Sequence, residues 1–184
     1  AALVGCGPGA APEPEAHHSE SNDIDAQIAH ARRAQLLHFD HRMTQFRAEN
    51  ERLDASATHL VFFGDSLTEG FAELPSAGDG RVSLNRGIAG DPIRPGMYAD
   101  PSVGLMNRFP ESFPPVPIAG VHLLIGTNDV LDPGYDVETL KANYRDLFDA
   151  IEERLPGVPV IVSSVPPFAP AHPHYEGVNA RIAE

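Results

Sequence analysis

The sequence predicts an α/β protein whose parallel sheet is covered by helices on both faces, a three-layer α/β/α arrangement. Two observations carry this. Apolar runs at 59–63, 121–125 and 158–162 lack the alternation of a half-solvated strand, as expected where both faces are buried. Around them lie segments with helical spacing, and strands alternating with helices imply parallel pairing. A chain of 184 residues, 42% of them apolar, suffices for one such core and is short for two. The expected organisation is a signal remnant and tether over 1–22, then one folded domain over 23–184 that opens with a helical segment at 23–56.

The chain starts Ala1-Ala2-Leu3-Val4-Gly5-Cys6. This resembles the tail of a bacterial lipoprotein signal, in which a Leu-Val-Gly stretch precedes a Cys that is lipidated and becomes the mature N-terminus. The alternative is a chance Cys among small residues. Residues 7–22 carry Pro, Gly, Ala, Glu and Ser and no large apolar side chain, so they cannot offset the entropy of ordering and are expected to be a flexible tether. A lipid-anchored protein of the bacterial cell envelope, at the periplasmic or outer-membrane face, is the expectation. Cys6 is the single Cys, so no intrachain disulfide forms. No run is long enough to cross a bilayer. A net charge of −13 excludes an electrostatic grip on nucleic acid.

Residues 24–53 follow a helical period, with Leu36, Phe39, Met43 and Phe46 on one face. His30, His38 and His41 lie on the same segment, but no Glu or Cys completes a metal-site spacing, so they are read as solvated. A first strand at 59–63 ends at Gly64, a weaker second lies at 82–84, and a third at 121–125 is closed by Gly126. A helix over 137–155 places Leu140, Leu147, Ile151 and Leu155 on one face, with Asp136 as its cap and Pro156-Gly157 as its stop. A fourth strand at 158–162 leads into a Pro-rich loop at 166–173 and a further helix near Tyr175.

In such sheets chemistry sits beyond the carboxyl ends of the strands. After the first strand stands Gly64-Asp65-Ser66-Leu67-Thr68-Glu69-Gly70, a turn that lifts the Ser66 hydroxyl above the sheet edge. The second is followed by Asn85-Arg86-Gly87-Ile88-Ala89-Gly90-Asp91, whose glycines let the backbone approach a ligand and aim an N–H at it. The third is followed by Gly126-Thr127-Asn128-Asp129, which places a side-chain amide at the same edge. One nucleophile and two donors therefore share an edge, although each motif alone is common in turns and caps.

In this order the motifs resemble the GDSL/SGNH hydrolase family, and 85–91 is similar to the second block of its platelet-activating-factor acetylhydrolase and lysophospholipase-like branch. The resemblance covers about 58–184. It implies a flavodoxin-like sheet, a serine ester hydrolase of esterase, lipase or lysophospholipase type, and no cofactor or metal. It also implies roles: Ser66 as nucleophile with its own N–H as first oxyanion donor, the Gly90 N–H as second, the Asn128 amide as third, and Asp65 as structural. Small-molecule, lipid or glycan esters are the implied substrates, with the membrane reached through the N-terminal lipid. An O-acyltransferase on the same fold and a non-catalytic glycan- or lipid-binding lipoprotein are the alternatives.

The chain departs from the family at its end. A serine needs a base, supplied in this family by Asp-x-x-His after one more strand, and no such motif follows Asn128. Truncation, with the last strand and helix missing, is the simpler reading, and it predicts that these residues alone are inactive. A substitute base from His172 or His174 is the other. His59 and His122 are placed at strand beginnings as structural residues. Arg86 and Arg94 are candidates for an anionic substrate group or for surface salt bridges, and 98–109 for shaping an acyl pocket or covering the core.

Overall fold

Strand β1 (His59–Gly64) takes the centre of the sheet because Val61, Phe62 and Phe63 leave no face for water, and all three are buried. It pairs in parallel with β2 (Val82–Gly87) on one side and β3 (Ile118–Leu124) on the other, and β3 pairs with β4 (Val160–Val162). The order is β2-β1-β3-β4. The chain runs outward from β1 to β2 and then crosses back past β1, so the winding reverses between β1 and β3. That reversal opens a crevice beyond the strand ends. The computed structural model describes residues 16–74, 80–96, 100–167 and 181, with side chains described from residue 25 onward. Cys6, His172, His174, most of the tether and the helix expected near Tyr175, save residue 181, lie outside them.

The expected parallel sheet with flanking helices is present, with shifted boundaries. β2 runs on to Gly87 because its last residues keep pairing with Phe62, Phe63 and Gly64. β3 starts earlier, at Ile118, and His122 therefore sits inside the strand rather than at its beginning, where its Nε2 pairs with Ser163 Oγ at 2.8 Å. His59 does open its strand, buried, with Nδ1 3.3 Å from the Pro117 carbonyl.

Helix α1 (Ala16–Asn50) covers part of one face. It corrects the expected tether, since residues 16–22 are helical. Pro and Gly, the residues that stop helices, end at Pro14, and the Ala, His, Ser and Glu that follow are tolerated in a helix. The apolar face read from spacing is the packed one: Phe39, Met43 and Phe46 are buried against Ile88 and Val103, with Leu36 beside them. Helix α5 (Val137–Arg154) puts Leu147 and Ile151 into the main core with Val61, Phe63, Leu84, Leu123 and Phe113. Each fully buried Leu or Phe contributes about 1.5–3 kcal/mol, so the first face holds α1 to the loops that carry Ile88 and Val103 and the second holds α5 to the sheet. Asp136 caps α5 as expected, its carboxylate accepting from Thr139 N at 2.8 Å.

Short helices fill the connections: α2 (Ser66–Glu69), α3 (Phe109–Ser112) after a 3-10 turn at Leu105–Arg108, and α4 (Thr127–Leu131). Val103 and Leu105 are fully buried, so within 98–109 these two cover the core. Arg86 is buried rather than on the surface, yet it forms the ion pair, with the half-exposed Glu49, and donates to Asn50 Oδ1 at 2.7 Å, because its strand position lies beneath α1. Arg94 does form the exposed ion pair, with Asp146 at 2.9 Å.

Candidate functional site

Ser66 is the first residue of α2, exposed, two residues beyond Gly64 at the end of the central strand. Asp65 makes the turn: its buried carboxylate caps α2 by accepting from Leu67 N at 2.9 Å. Burial pushes its pKa up, against the Leu67 N–H and Thr127, which pull it down. The turn also needs two glycines. A Cβ on Gly64 would overlap the Leu124 carbonyl oxygen, and one on Gly87 would overlap the main chain of Glu69. The close approach of α2 to β2 and of β1 to β3 is thus written into these two positions.

In the register Gly64 faces Gly87 on one side and Leu124 on the other. Neighbouring strands lie about 4.8 Å apart. The loop after β2 and the turn after β3 therefore flank Ser66. Gly90 has φ +82° and closes a tight turn in which Asp91 N donates to Ile88 O at 3.2 Å. A positive φ at this third position suits glycine. Gly126, with φ +116°, starts α4, and a Cβ there would sit 2.8 Å from the Tyr144 hydroxyl, which itself donates to Ile125 O at 2.5 Å.

Asn128 stands on the first turn of α4 and donates from Nδ2 to the Asp91 carbonyl at 2.8 Å. Only the NH₂ end of the amide can do this, so its direction is fixed, and its second N–H remains unspent. Among the described residues no hydrogen bond engages the Ser66 hydroxyl, the Ser66 N–H or the Gly90 N–H. The structure thus brings the three expected residues to one sheet edge, with two main-chain donors and one side-chain donor free.

Beside them opens a cleft of about 490 Å³ whose lining includes Gln35, Gly90, Arg94, Asn128, Tyr135 and Asn143. Ser66 is not among its lining residues. Asp129, also in the lining, accepts the Ile93 N–H at 3.2 Å on both oxygens; burial, with Asp65 and Asp132 nearby, pushes its pKa up to about 7. Among the described residues, no group of three or more His, Cys, Asp or Glu is placed to hold a metal ion.

Sequence reasoning missed the residues that hold this edge. Arg108, fully buried, donates to Asp91 Oδ2 at 2.6 Å, and to Arg86 O and Gly64 O at 2.9 Å each. It joins the ends of β1 and β2 to the loop that carries Gly90. The available hint was an arginine inside the apolar stretch 103–109. His38, read as solvated, pairs with Glu69 Oε2 at 2.9 Å, the same oxygen that accepts Ala89 N at 2.5 Å.

The parallel sheet with its reversed winding sets an exposed serine turn at the end of the central strand, beside the loops that carry Gly90 and Asn128, in an α/β fold. The chain belongs to the GDSL-like lipase/acylhydrolase family, whose model matches residues 62–184. Among solved structures it is similar to a Streptococcus pneumoniae protein described as a candidate platelet activating factor. The TM-score is 0.66 at 20% identity, over 88% of this chain and 71% of that one. It is also similar to the aryl esterase of M. smegmatis, with a TM-score of 0.52 at 21% identity, over 69% of this chain and 75% of that one. A carbohydrate acetylesterase from Sinorhizobium meliloti gives 0.51 at 20% identity, over 68% and 74%. These likenesses bear on the fold. The comparison with curated proteins gives no match.

Proposed function

We propose that the protein hydrolyses esters through Ser66, with the Ser66 N–H, the Gly90 N–H and the Asn128 amide as oxyanion donors. The observation that carries this is the set of unspent donors on either side of an exposed, unpartnered serine hydroxyl. Ser66 Oγ bonds to the ester carbonyl carbon and passes its proton to a base, while the C=O electron pair moves onto oxygen. There, preorganised donors stabilise the new charge. Collapse breaks the bond to the alcohol, which takes the proton from the base. Water then attacks the acyl-serine in the same way, releasing the acid and restoring the hydroxyl.

Among the described residues no side chain is hydrogen-bonded to the Ser66 hydroxyl as a base would be. No Asp-x-x-His follows Asn128, and we place the base in sequence beyond residue 184 of the complete reading frame. Residues 1–184 alone then keep at most the roughly 10³–10⁴-fold effect over water that binding and an oxyanion hole provide.

The cleft wall sets polar side chains, Gln35, Arg94, Asn128 and Asn143 among them, beside the apolar Pro92, Pro95, Leu131 and Leu140, so it offers an ester both hydrogen-bonding and apolar surface. We also propose that Cys6 carries the lipid that holds the protein to the bacterial envelope. The sequence Leu3-Val4-Gly5-Cys6 and the Pro- and Glu-containing stretch after it support this. Mass spectrometry of the protein expressed in a bacterial host with its complete reading frame tests it: an unmodified Cys6 refutes the anchor.

The activity is tested by hydrolysis of acetyl and longer nitrophenyl esters. Three proteins are compared: the complete reading frame, its Ser66→Ala variant and residues 1–184. Activity in the first alone is expected. Ser66-dependent activity in residues 1–184 moves the base to His172 or His174, and absence of activity throughout favours a binding protein.

A further inference from the structure

The family match begins at residue 62, so α1 lies outside it, yet one stripe of α1 reaches the candidate oxyanion loop. Gln35, His38 and Arg42 are spaced by three and four residues and therefore share a face. Gln35 Nε2 donates to the Gly90 carbonyl at 2.7 Å. Arg42 donates to the Gly87 carbonyl at 3.0 and 3.2 Å from Nη2 and Nε. His38 contacts Glu69, whose carboxylate takes the Ala89 N–H. Phe39, Met43 and Phe46 anchor the adjacent apolar stripe on Ile88 and Val103, so the polar stripe has a fixed height above the loop.

The polar main-chain groups of this loop are largely engaged. Ala89 N–H goes to Glu69, Asp91 N–H to Ile88 O, Gly90 C=O to Gln35 and Asp91 C=O to Asn128. The Gly90 N–H, on the preceding Ala89–Gly90 peptide, makes no hydrogen bond among the described residues. The Gly90 carbonyl and the Asp91 N–H lie on the next peptide, and because glycine at φ +82° leaves its own dihedrals loose, the bonds to that peptide set them and with them the direction of the Gly90 N–H.

We propose that Gln35 is a positioning residue of the oxyanion hole. By holding the Gly90 carbonyl it fixes the turn from which the Gly90 N–H points at the developing oxyanion. The proposal rests on the Ser66 reading above and adds to it a contribution from a helix outside the matched family region. Because Gln35 also lines the cleft, a bland alternative exists: it touches substrate or merely fills space. The two differ in kinetics. Mis-aiming a transition-state donor lowers kcat with KM kept, whereas losing a ground-state contact raises KM.

The experiment measures kcat and KM for nitrophenyl acetate on the complete reading frame and its Gln35→Ala, Gln35→Glu and Ser66→Ala variants, with thermal unfolding of each. Gln35→Glu keeps the volume and replaces the donor by a carboxylate facing the Gly90 carbonyl. The expected result is a kcat about 10- to 100-fold lower in Gln35→Ala and lower still in Gln35→Glu, with KM within about twofold. Unchanged kcat in either folded Gln35 variant, or a change confined to KM, overturns the proposal. Should Gln35→Ala fail to fold, the isosteric Gln35→Glu decides alone. Full activity of Ser66→Ala overturns the Ser66 reading itself, which separates the two failures.

Discussion

Arg108 donates from Nε to Asp91 Oδ2 at 2.6 Å in a place neither side chain shares with water. Burial pushes the Asp91 pKa up, and the facing guanidinium works against that rise. Removing Arg108 leaves a buried carboxylate without its cation and strips Gly64 O and Arg86 O of a donor. Arg108→Leu is expected to lose about 3–5 kcal/mol of stability. Urea unfolding at neutral pH measures it, and a loss under about 1 kcal/mol would mean that water reaches Asp91.

Asn128 is tied to the same loop through the Asp91 carbonyl. If its second N–H serves the oxyanion, Asn128→Ala in the complete protein lowers kcat about 10²–10³-fold and leaves KM nearly unchanged. Steady-state kinetics on nitrophenyl acetate give both constants. Unchanged kcat in the folded variant removes Asn128 from the mechanism.

The placement of Ser66 and Asn128 at strand ends was legible because each follows an apolar run that ends at or near a glycine, while the place of Gly90 was marked by its Gly-rich loop after the weaker stretch Val82-Ser83-Leu84. The apolar faces of α1 and α5 were legible for the same reason: helical spacing shows which side of a helix is buried. Arg108 and Gln35 were not, since their partners are distant in sequence and only the sheet order brings them close. The burial of Arg86 was not legible, because a charged side chain suggests solvent and nothing local says that α1 lies over it with Glu49 to pair. The start of α1 at Ala16 was missed because polar composition argued for disorder while the Pro residues that would enforce it stop at Pro14.

Asp129 has a pKa pushed from 3.8 up to about 7, first by burial and further by Asp65 and Asp132, against the Ile93 N–H. Between those two values the folded protein binds one proton more than the unfolded chain. The stabilising contribution is therefore complete below about pH 4 and is lost as pH rises through about 7. In the Asp129→Asn variant the amide oxygen still accepts from Ile93 N, and the side chain no longer titrates. The Tm of the parent protein minus that of Asp129→Asn is expected to fall between about pH 5 and pH 8. A flat difference across that range would mean the carboxyl is already ionised at its lower end.

Two glycines separate the cost of backbone strain from the cost of lost space. Gly157, just after α5, has φ +73° and open space where a Cβ would stand. Gly157→Ala should cost about 1–2 kcal/mol through conformation alone and leave activity intact. Gly87 has no positive φ, but its Cβ would strike the Glu69 main chain in the helix that carries Ser66. Relief requires α2 to move off β2, and a displacement of about 1 Å at a reacting group can cost roughly 10²-fold in rate. Gly87→Ala is therefore expected to lose about 1–3 kcal/mol of stability and, in protein that remains folded, most of its esterase activity. Urea unfolding and nitrophenyl acetate turnover on both variants check this. Equal activity losses in the two would show that α2 is not held in place by its contact with β2.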